Sequence, residues 1–319
     1  MTRQWIRYFG LTIDTGSETI DLSNLRGRFR VRLAVVQSPN AAEIIVTNLS
    51  EATAQKIRKE GQKVTLTVGY QGGPSIAFTG NIIQKRVGRE NPVETYLAIV
   101  AQDGDIAYNF ATVSKTLSAG STFKDQVDVV LEAMKPHGVT KGYISDLGSR
   151  KMPRARTLFG MARDAMRDIA TSVGASWSIQ DGKLDVVKFG EAKPGEIIVL
   201  NSQTGMIGRP VQTFDGVIAR MLINPRAKPN AKIKIDEASI DAAAFSTTVP
   251  GALGNEQLKT GIATDGLYKI VTVEHHGDTH GNPWYTEIIC HRADDQGIYF
   301  NIASQNIVAQ EVDGSSAAP

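Results

Sequence analysis

A chain of 319 residues, 41% of them hydrophobic, has material for two or three packed domains. Lys and Arg number 35 against 33 acidic residues, a formal net charge of +2 that gives no general drive toward nucleic acid or anionic lipid. The single cysteine, Cys290, excludes an internal disulfide and fits assembly in a reducing compartment; no signal-peptide run opens the chain, and no stretch approaches the roughly 18 apolar residues of a membrane helix. A soluble protein made in the cytoplasm, with no membrane insertion, is expected.

In the first hundred residues the pattern is that of strands. Phe29, Val31, Leu33 and Val35 alternate with Arg30 and Arg32, as in a strand with one wet face. Pro39-Asn40 turns the chain into a second strand, Glu43 to Leu49. Ser50 caps a short helix expected to reach about Glu60, with Gly61 at its end. Lys63 to Tyr70 alternates again, Gln71-Gly72-Gly73-Pro74 turns, and a hairpin follows. This reads as a mostly antiparallel β-domain of barrel or sandwich type.

The pattern then changes. Thr122 caps a helix whose Phe123, Val127, Val130, Leu131 and Met134 fall on one stripe, and Pro136 and Gly138 stop it. A loop carrying Arg150, Lys151, Arg154 and Arg156 leads to a second expected helix, Thr157 to Ser172, burying Leu158, Met161, Ala165 and Ile169. Asp181-Gly182 between two alternating runs is a strong hairpin signal. From about residue 197 the strands return: one within Val211–Leu222 and another at Lys232–Ile235. A long polar connection over 237–263 follows, and the tail from Asp313 to Pro319 has nothing to bury.

One pattern occurs twice. Gly80, Gly88, Asn91-Pro92, Thr95, Ile99 and Asp103 are matched by Gly266, Gly277, Asn282-Pro283, Thr286, Cys290 and Asp294. In both, Pro is followed after three residues by Thr, then at steps of four by an apolar residue and an Asp. Each copy reads as two strands joined by a Gly/Asn/Pro turn, so a duplicated β-domain is expected. The fold class is therefore mainly β: two related antiparallel β-barrel domains at 1–105 and 197–300 flank a small α+β insert at 106–196. A tail at 301–319 is expected to be flexible or ordered by a partner.

Few residues offer chemistry. His275, His276, His280 and His291 cluster, with Glu274 and Asp278 nearby, but adjacent strand residues face opposite ways, which keeps His275 and His276 from sharing a metal. Cys290 beside His291 meets the same objection to a nucleophile, and its counterpart Ile99 favours a core role. The basic loop at 150–156 reads as a solvated loop or an interface to an acidic partner, without the aromatics of a base-stacking surface. Gly69–Gly73 and Thr116–Ser121 lack phosphate-loop spacing. Asp103 with Asp105, and Asp294 with Asp295, read as strand terminators. No catalytic, cofactor or metal residues are assigned, and no enzyme activity is expected.

Several segments in order resemble a known group. Ser38 to Ser50, Gly69-Tyr70-Gln71-Gly72 leading to Phe78-Thr79-Gly80-Asn81-Ile82, and Asp103 to Phe110 are similar to elements of tailed-bacteriophage baseplate hub proteins. So are Thr204 to Pro210, Asp215-Gly216-Val217 and Leu222 to Pro225. The hub portion of type VI secretion spike proteins is similar as well. The resemblance implies a virion protein, assembled in the host cytoplasm, with two related β-barrels per chain. It implies a homotrimer that gives a quasi-sixfold ring between a hexameric tail tube and the central spike. Tube or tube-initiator, spike and other baseplate proteins would be partners, and DNA would pass through the lumen without sequence-specific binding. Alternatives are a carbohydrate- or receptor-binding tail β-protein and a hub carrying a cell-wall hydrolase.

Overall fold

The computed structural model describes residues 5–57, 61–213, 216–236, 240, 263 and 265–293. The expectations at 237–263 and 301–319, and at Asp294 and Asp295, fall largely or wholly outside these residues. The chain is mainly β, with antiparallel sheets and few helices.

The N-terminal strands are β1 (Arg7–Asp14), β2 (Thr19–Asp21), β3 (Gly27–Ala34), β4 (Ala41–Thr47), β5 (Lys63–Tyr70), β6 (Ser75–Arg89) and β7 (Thr95–Gln102), with helix α1 (Glu51–Lys56) between β4 and β5. Ser50 caps α1 by accepting from the Thr53 amide, as its sequence position implies, but the helix stops at Lys56 rather than near Glu60. The C-terminal strands are β13 (Ile198–Leu200), β14 (Met206–Thr213), β15 (Gly216–Leu222), β16 (Lys232–Ile235), β17 (Leu267–Asp278) and β18 (Trp284–Arg292). Among the described residues they form one sheet of 13 strands, ordered β14-β15-β18-β17-β3-β4-β7-β6-β5-β1-β2, with β16 also on β17 and β13 on β16.

The order contains one path twice. The first half runs β3-β4-β7-β6-β5-β1 and the second runs β14-β15-β18-β17-β16-β13. Each has a hairpin whose second strand receives the last strand of a three-strand meander. The repeated motif is the final hairpin of that unit, β6–β7 and β17–β18. Matching positions do matching work. Ile99 and Cys290 are both buried. Thr95 and Thr286 are each tied to the Asn that ends the preceding hairpin: the Thr95 amide donates to Asn48 Oδ1 at 3.2 Å and Thr286 Oγ1 accepts from the Asn224 amide at 3.0 Å. The Asn-Pro pairs are less alike: Asn91 closes its turn by accepting from the Val93 and Glu94 amides, whereas in the second copy Asp278 takes the His280 amide. The halves differ at one rim, where β1 meets β5 antiparallel and β13 meets β16 parallel.

β3 and β17 weld the halves together. Seven residues of each strand pair, from Arg28↔Asp278 to Ala34↔Thr272. The weld is apolar on one side: Phe29 stacks with Phe9 and meets Trp284 edge-on, with centroids 6.1 and 5.5 Å apart. Gly277 lies where any Cβ would run into the Phe29 ring. Arg7 lies over Trp284 at 5.3 Å and donates to the carbonyls of Asp278 and Asn282, while Arg26 pairs with Asp278 at 3.0 Å. Truncating a buried aromatic such as Trp284 to Ala costs roughly 3–5 kcal/mol in general.

The middle segment packs a hydrophobic cluster of its own, from Ala107 to Val186, while a single cluster runs through both β regions. It comprises α2 (Asp105–Phe110), β8 (Thr112–Leu117), α3 (Phe123–Met134), β9 (Thr140–Ile144), β10 (Arg156–Met161), α4 (Ala162–Val173), β11 (Ala175–Gln180) and β12 (Lys183–Lys188). Thr122 and Asp125 make the full capping box of α3, and Asp181 and Gly182 both take positive φ in the β11–β12 turn. The expected helix from Thr157 is corrected. Residues 156–161 are a strand on β8, and the helix starts at Ala162. The 3.6-period match of Leu158 and Met161 was fortuitous, because Gly160 sits at φ +118°, outside helix geometry, and the free edge of β8 claims the segment.

The tip of β11–β12 docks on the sheet end. Asn40 donates to Ile179 O and Gln180 Oε1, both at 2.9 Å, and Lys228 pairs with Asp181 at 3.0 Å. Asp103 accepts the Gly182 amide at 2.9 Å. Burial, then the nearby Asp181, pushes the Asp103 carboxyl from 3.8 up to about 7, against the Gly182 and Asp181 amides and Lys228. The native state thus keeps a proton that the unfolded chain sheds. This contribution is full below about pH 3.8, declines as pH rises, and is gone above about pH 7. We expect Asp103→Asn to raise unfolding stability at pH 8 by roughly 1–3 kcal/mol, with the gain vanishing near pH 4. Denaturant titrations at the two pH values check this; equal effects at both would contradict it.

Candidate functional site

Strand alternation gives the main sheet one buried and one open face. Cross-strand register sets the open side chains in rows. One row reads Arg220, Glu287, Glu274, Arg32; the next reads Tyr285, His276, Arg30, Glu43, Val100, Gln84; a third holds Arg28, Ile45, Ala98 and Arg86. The face runs unbroken across the β3–β17 weld. A shallow groove crosses it there, lined by residues including Arg28, Arg30, Glu43, Ile45 and His276.

Its charges are largely paired with each other. Arg30 and Arg32 reach Glu274 at 3.2 and 3.3 Å, Arg220 reaches Glu287 at 2.8 Å, and Arg28 reaches Glu90 at 2.6 Å. Arg220 also covers the Tyr285 ring, on which His276 stacks. The His276 hydrogen bond, then Arg30 and Arg32, hold the Glu274 carboxyl down at about 2 against the opposing effect of burial. Its stabilising contribution is present above pH 4.5, its unfolded value, and is lost as pH falls toward 2. We expect Glu274→Gln to cost roughly 1–2 kcal/mol at pH 7, the exposed Arg partners limiting it. The cost should fade in melts taken toward pH 2, and a cost that stays constant down to pH 2 would contradict this assignment.

The histidines do not converge. His275 is wholly buried, its Nδ1 2.8 Å from Thr286 Oγ1, and burial brings its imidazole down to about 3, so it is neutral. His276 lies on the opposite face, His280 Nδ1 faces Thr279 Oγ1, and His291 is buried on β18. Among the described residues no three His, Cys, Asp or Glu are placed to hold a metal. Cys290 is buried opposite Val217 and Ile270, and burial pushes its thiol well up. We expect it to resist a thiol reagent in the native protein and to react on denaturation. Rapid native labelling would contradict its core position.

The basic loop lies elsewhere, on the insert: Arg150, Lys151 and Arg154 are exposed beside a segment held by the Met152–Ser121 and Gly120–Met152 backbone bonds. The open face as a unit was missed in the sequence. Its signal was the alternation of Arg28, Arg30 and Arg32, but the facing strand was not linked to it.

No family profile and no curated protein match the chain. Solved structures do. The 43 kDa tail protein of prophage MuSo2 from Shewanella oneidensis matches with a TM-score of 0.58 at 11% identity, over 91% of this chain and 98% of that one. A tail protein from Neisseria meningitidis MC58 matches with a TM-score of 0.58 at 10% identity, over 90% and 97%. An E. coli protein, described as a type VI secretion component structurally similar to the T4 tail proteins gp27 and gp5, matches at 0.52 and 8% identity, over 85% and 74%. The chain has the fold of prophage tail proteins, a fold it shares with a type VI secretion component.

Proposed function

We propose that this chain is a structural, non-enzymatic protein of a phage-type tail: a baseplate hub that trimerises and bridges the hexameric tail tube to the central spike. The observation that carries the reading is the match over nearly the whole length of two prophage tail proteins. The twofold repetition of the sheet path supports it, because three chains with two like units each present six similar units to a sixfold tube. On this reading residues 1–105 and 197–300 are the two ring-forming units, 106–196 is an outer insert, and 301–319 meets a partner.

The open sheet face lines the channel. Its Arg side chains are engaged by Glu274, Glu287 and Glu90, so they offer few free cations to phosphate. DNA therefore passes without being held. Tube, spike and other baseplate proteins are the partners, and the protein belongs to the virion tail after assembly in the host cytoplasm.

Light scattering across concentration, with negative-stain images of the same sample, tests this. The expected mass is about 104 kDa, three times 34.5 kDa, with ring-shaped particles. A monomer that stays monomeric when co-expressed with tube and spike proteins would contradict the reading.

A further inference from the structure

Charge is spread unevenly along this chain. Residues 111–124 and 147–163 hold seven Lys and Arg and no Asp or Glu. The whole chain has a net charge of +2, so the remaining residues carry −5. Residues 294–319 supply −4 of this, through Asp294, Asp295, Glu311 and Asp313, and they hold no Lys, Arg or His. One chain thus contains a basic region and a separate acidic segment that nearly accounts for its opposite charge.

The fold draws the basic residues together. β8 and β10 pair so that Lys115 lies opposite Leu158 and Arg156 opposite Leu117. Past that end of the ribbon the Gly120 amide donates to Met152 O and the Met152 amide to Ser121 O, both at 2.8 Å. This holds the loop of Arg150, Lys151 and Arg154 beside the start of α3, where Lys124 is exposed. Among the described residues the insert's ion pairs engage Lys135, Arg167 and Lys193, none of these six. Phe159 stands on the free face of the same ribbon, 83% exposed, with Ser114, Thr116 and Thr157 about it. Such a surface fits an acidic segment that also carries apolar side chains. Residues 294–319 have that composition: Val312 lies between Glu311 and Asp313, and Ile307 and Val308 precede them.

The segment begins close to the insert. The Ala293 amide donates to Leu267 O at 3.4 Å, and two residues along that strand Lys269 Nζ reaches Glu191 O of the insert at 2.6 Å. Glu311 follows Ala293 by 18 residues, a reach of roughly 60 Å, against an insert about 30 Å across.

We infer that residues 294–319 dock on the basic end of the insert. Glu311 and Asp313 pair with its Arg and Lys side chains, and the neighbouring apolar residues cover Phe159. This deepens the assignment of 301–319 to a partner, on which it rests, by naming the insert as the surface met. The docking neutralises a patch that would otherwise draw in DNA and other polyanions during assembly.

The test is a short bismaleimide applied to the full chain carrying Phe159→Cys/Val312→Cys, followed by digestion and mass spectrometry. Phe159 is exposed, and Cys290 is buried. A peptide joining positions 159 and 312 is expected, within one chain or between chains. Its yield should fall roughly tenfold in about 1 M salt, where the Debye length shrinks to about 3 Å. It should fall likewise in Glu311→Lys/Asp313→Lys and return when Arg154→Glu/Arg156→Glu is added. Full labelling of both cysteines by N-ethylmaleimide, with no joined peptide, overturns the docking and leaves the patch to an acidic segment of another protein. A yield indifferent to salt and to charge reversal overturns it as well. Light scattering on the same sample separates this from the hub reading. A trimer without the joined peptide overturns the docking alone. A joined peptide in a chain that stays monomeric with tube and spike proteins present overturns the hub reading alone.

Discussion

The pairing of β3 with β17 is the constraint from which the rest of this architecture follows. Without it the chain would hold two separate paths, of seven and six strands, each with open edges. With it, seven residue pairs turn them into one sheet with a shared apolar core and one continuous open face. The weld is made specific rather than merely sticky. Gly277 admits the Phe29 ring, Trp284 closes over it, and Arg7 and Arg26 fix the hairpin tip to the first half. A one-residue slip would turn Val31 and Leu33 outward and bring Arg30 and Arg32 into the core, so the alternation of β3 alone sets the register.

Much of this was legible in the sequence where local chemistry decides. The capping box at Thr122 and the Asp181-Gly182 turn rest on contacts between near neighbours, and they stand as read; the strand at Lys232–Ile235 stands too, because its own alternation is local. The repeated hairpin was legible too, because its apolar position, Ile99 and Cys290, is buried in both copies, although Thr95 meets its Asn through the backbone amide and Thr286 through its hydroxyl. What could not be read was set at long range. β10 looked helical because Leu158, Met161, Ala165 and Ile169 fit one stripe, and only the edge of β8 makes it a strand. Phe159, 83% exposed beside buried Leu158, betrays the period of two in retrospect. β1, absent from the sequence expectations, pairs along the whole of β5. The open face was invisible for the same reason: its rows come from strands more than 200 positions apart, as Arg30 and His276 are.

The histidine cluster makes the complementary point. Closeness in sequence put four imidazoles together, and the pleat separated them. His275 became a neutral core residue bonded to Thr286, while His276 joined the charged rows beside Glu274. An extended strand distributes neighbours between faces, so chemistry on a sheet is assembled across strands rather than along them. Here that assembly yields mutually satisfied ion pairs.

The most direct measurement of the central claim is a cryo-electron microscopy map of the purified chain, or of the tail end containing it, at a resolution that traces strands. The account predicts six like units in a ring, with a β3–β17 junction inside each chain joining its two units. A map in which the halves of a chain share no strand pairing, or in which neighbouring chains meet only through the inserts, would contradict it.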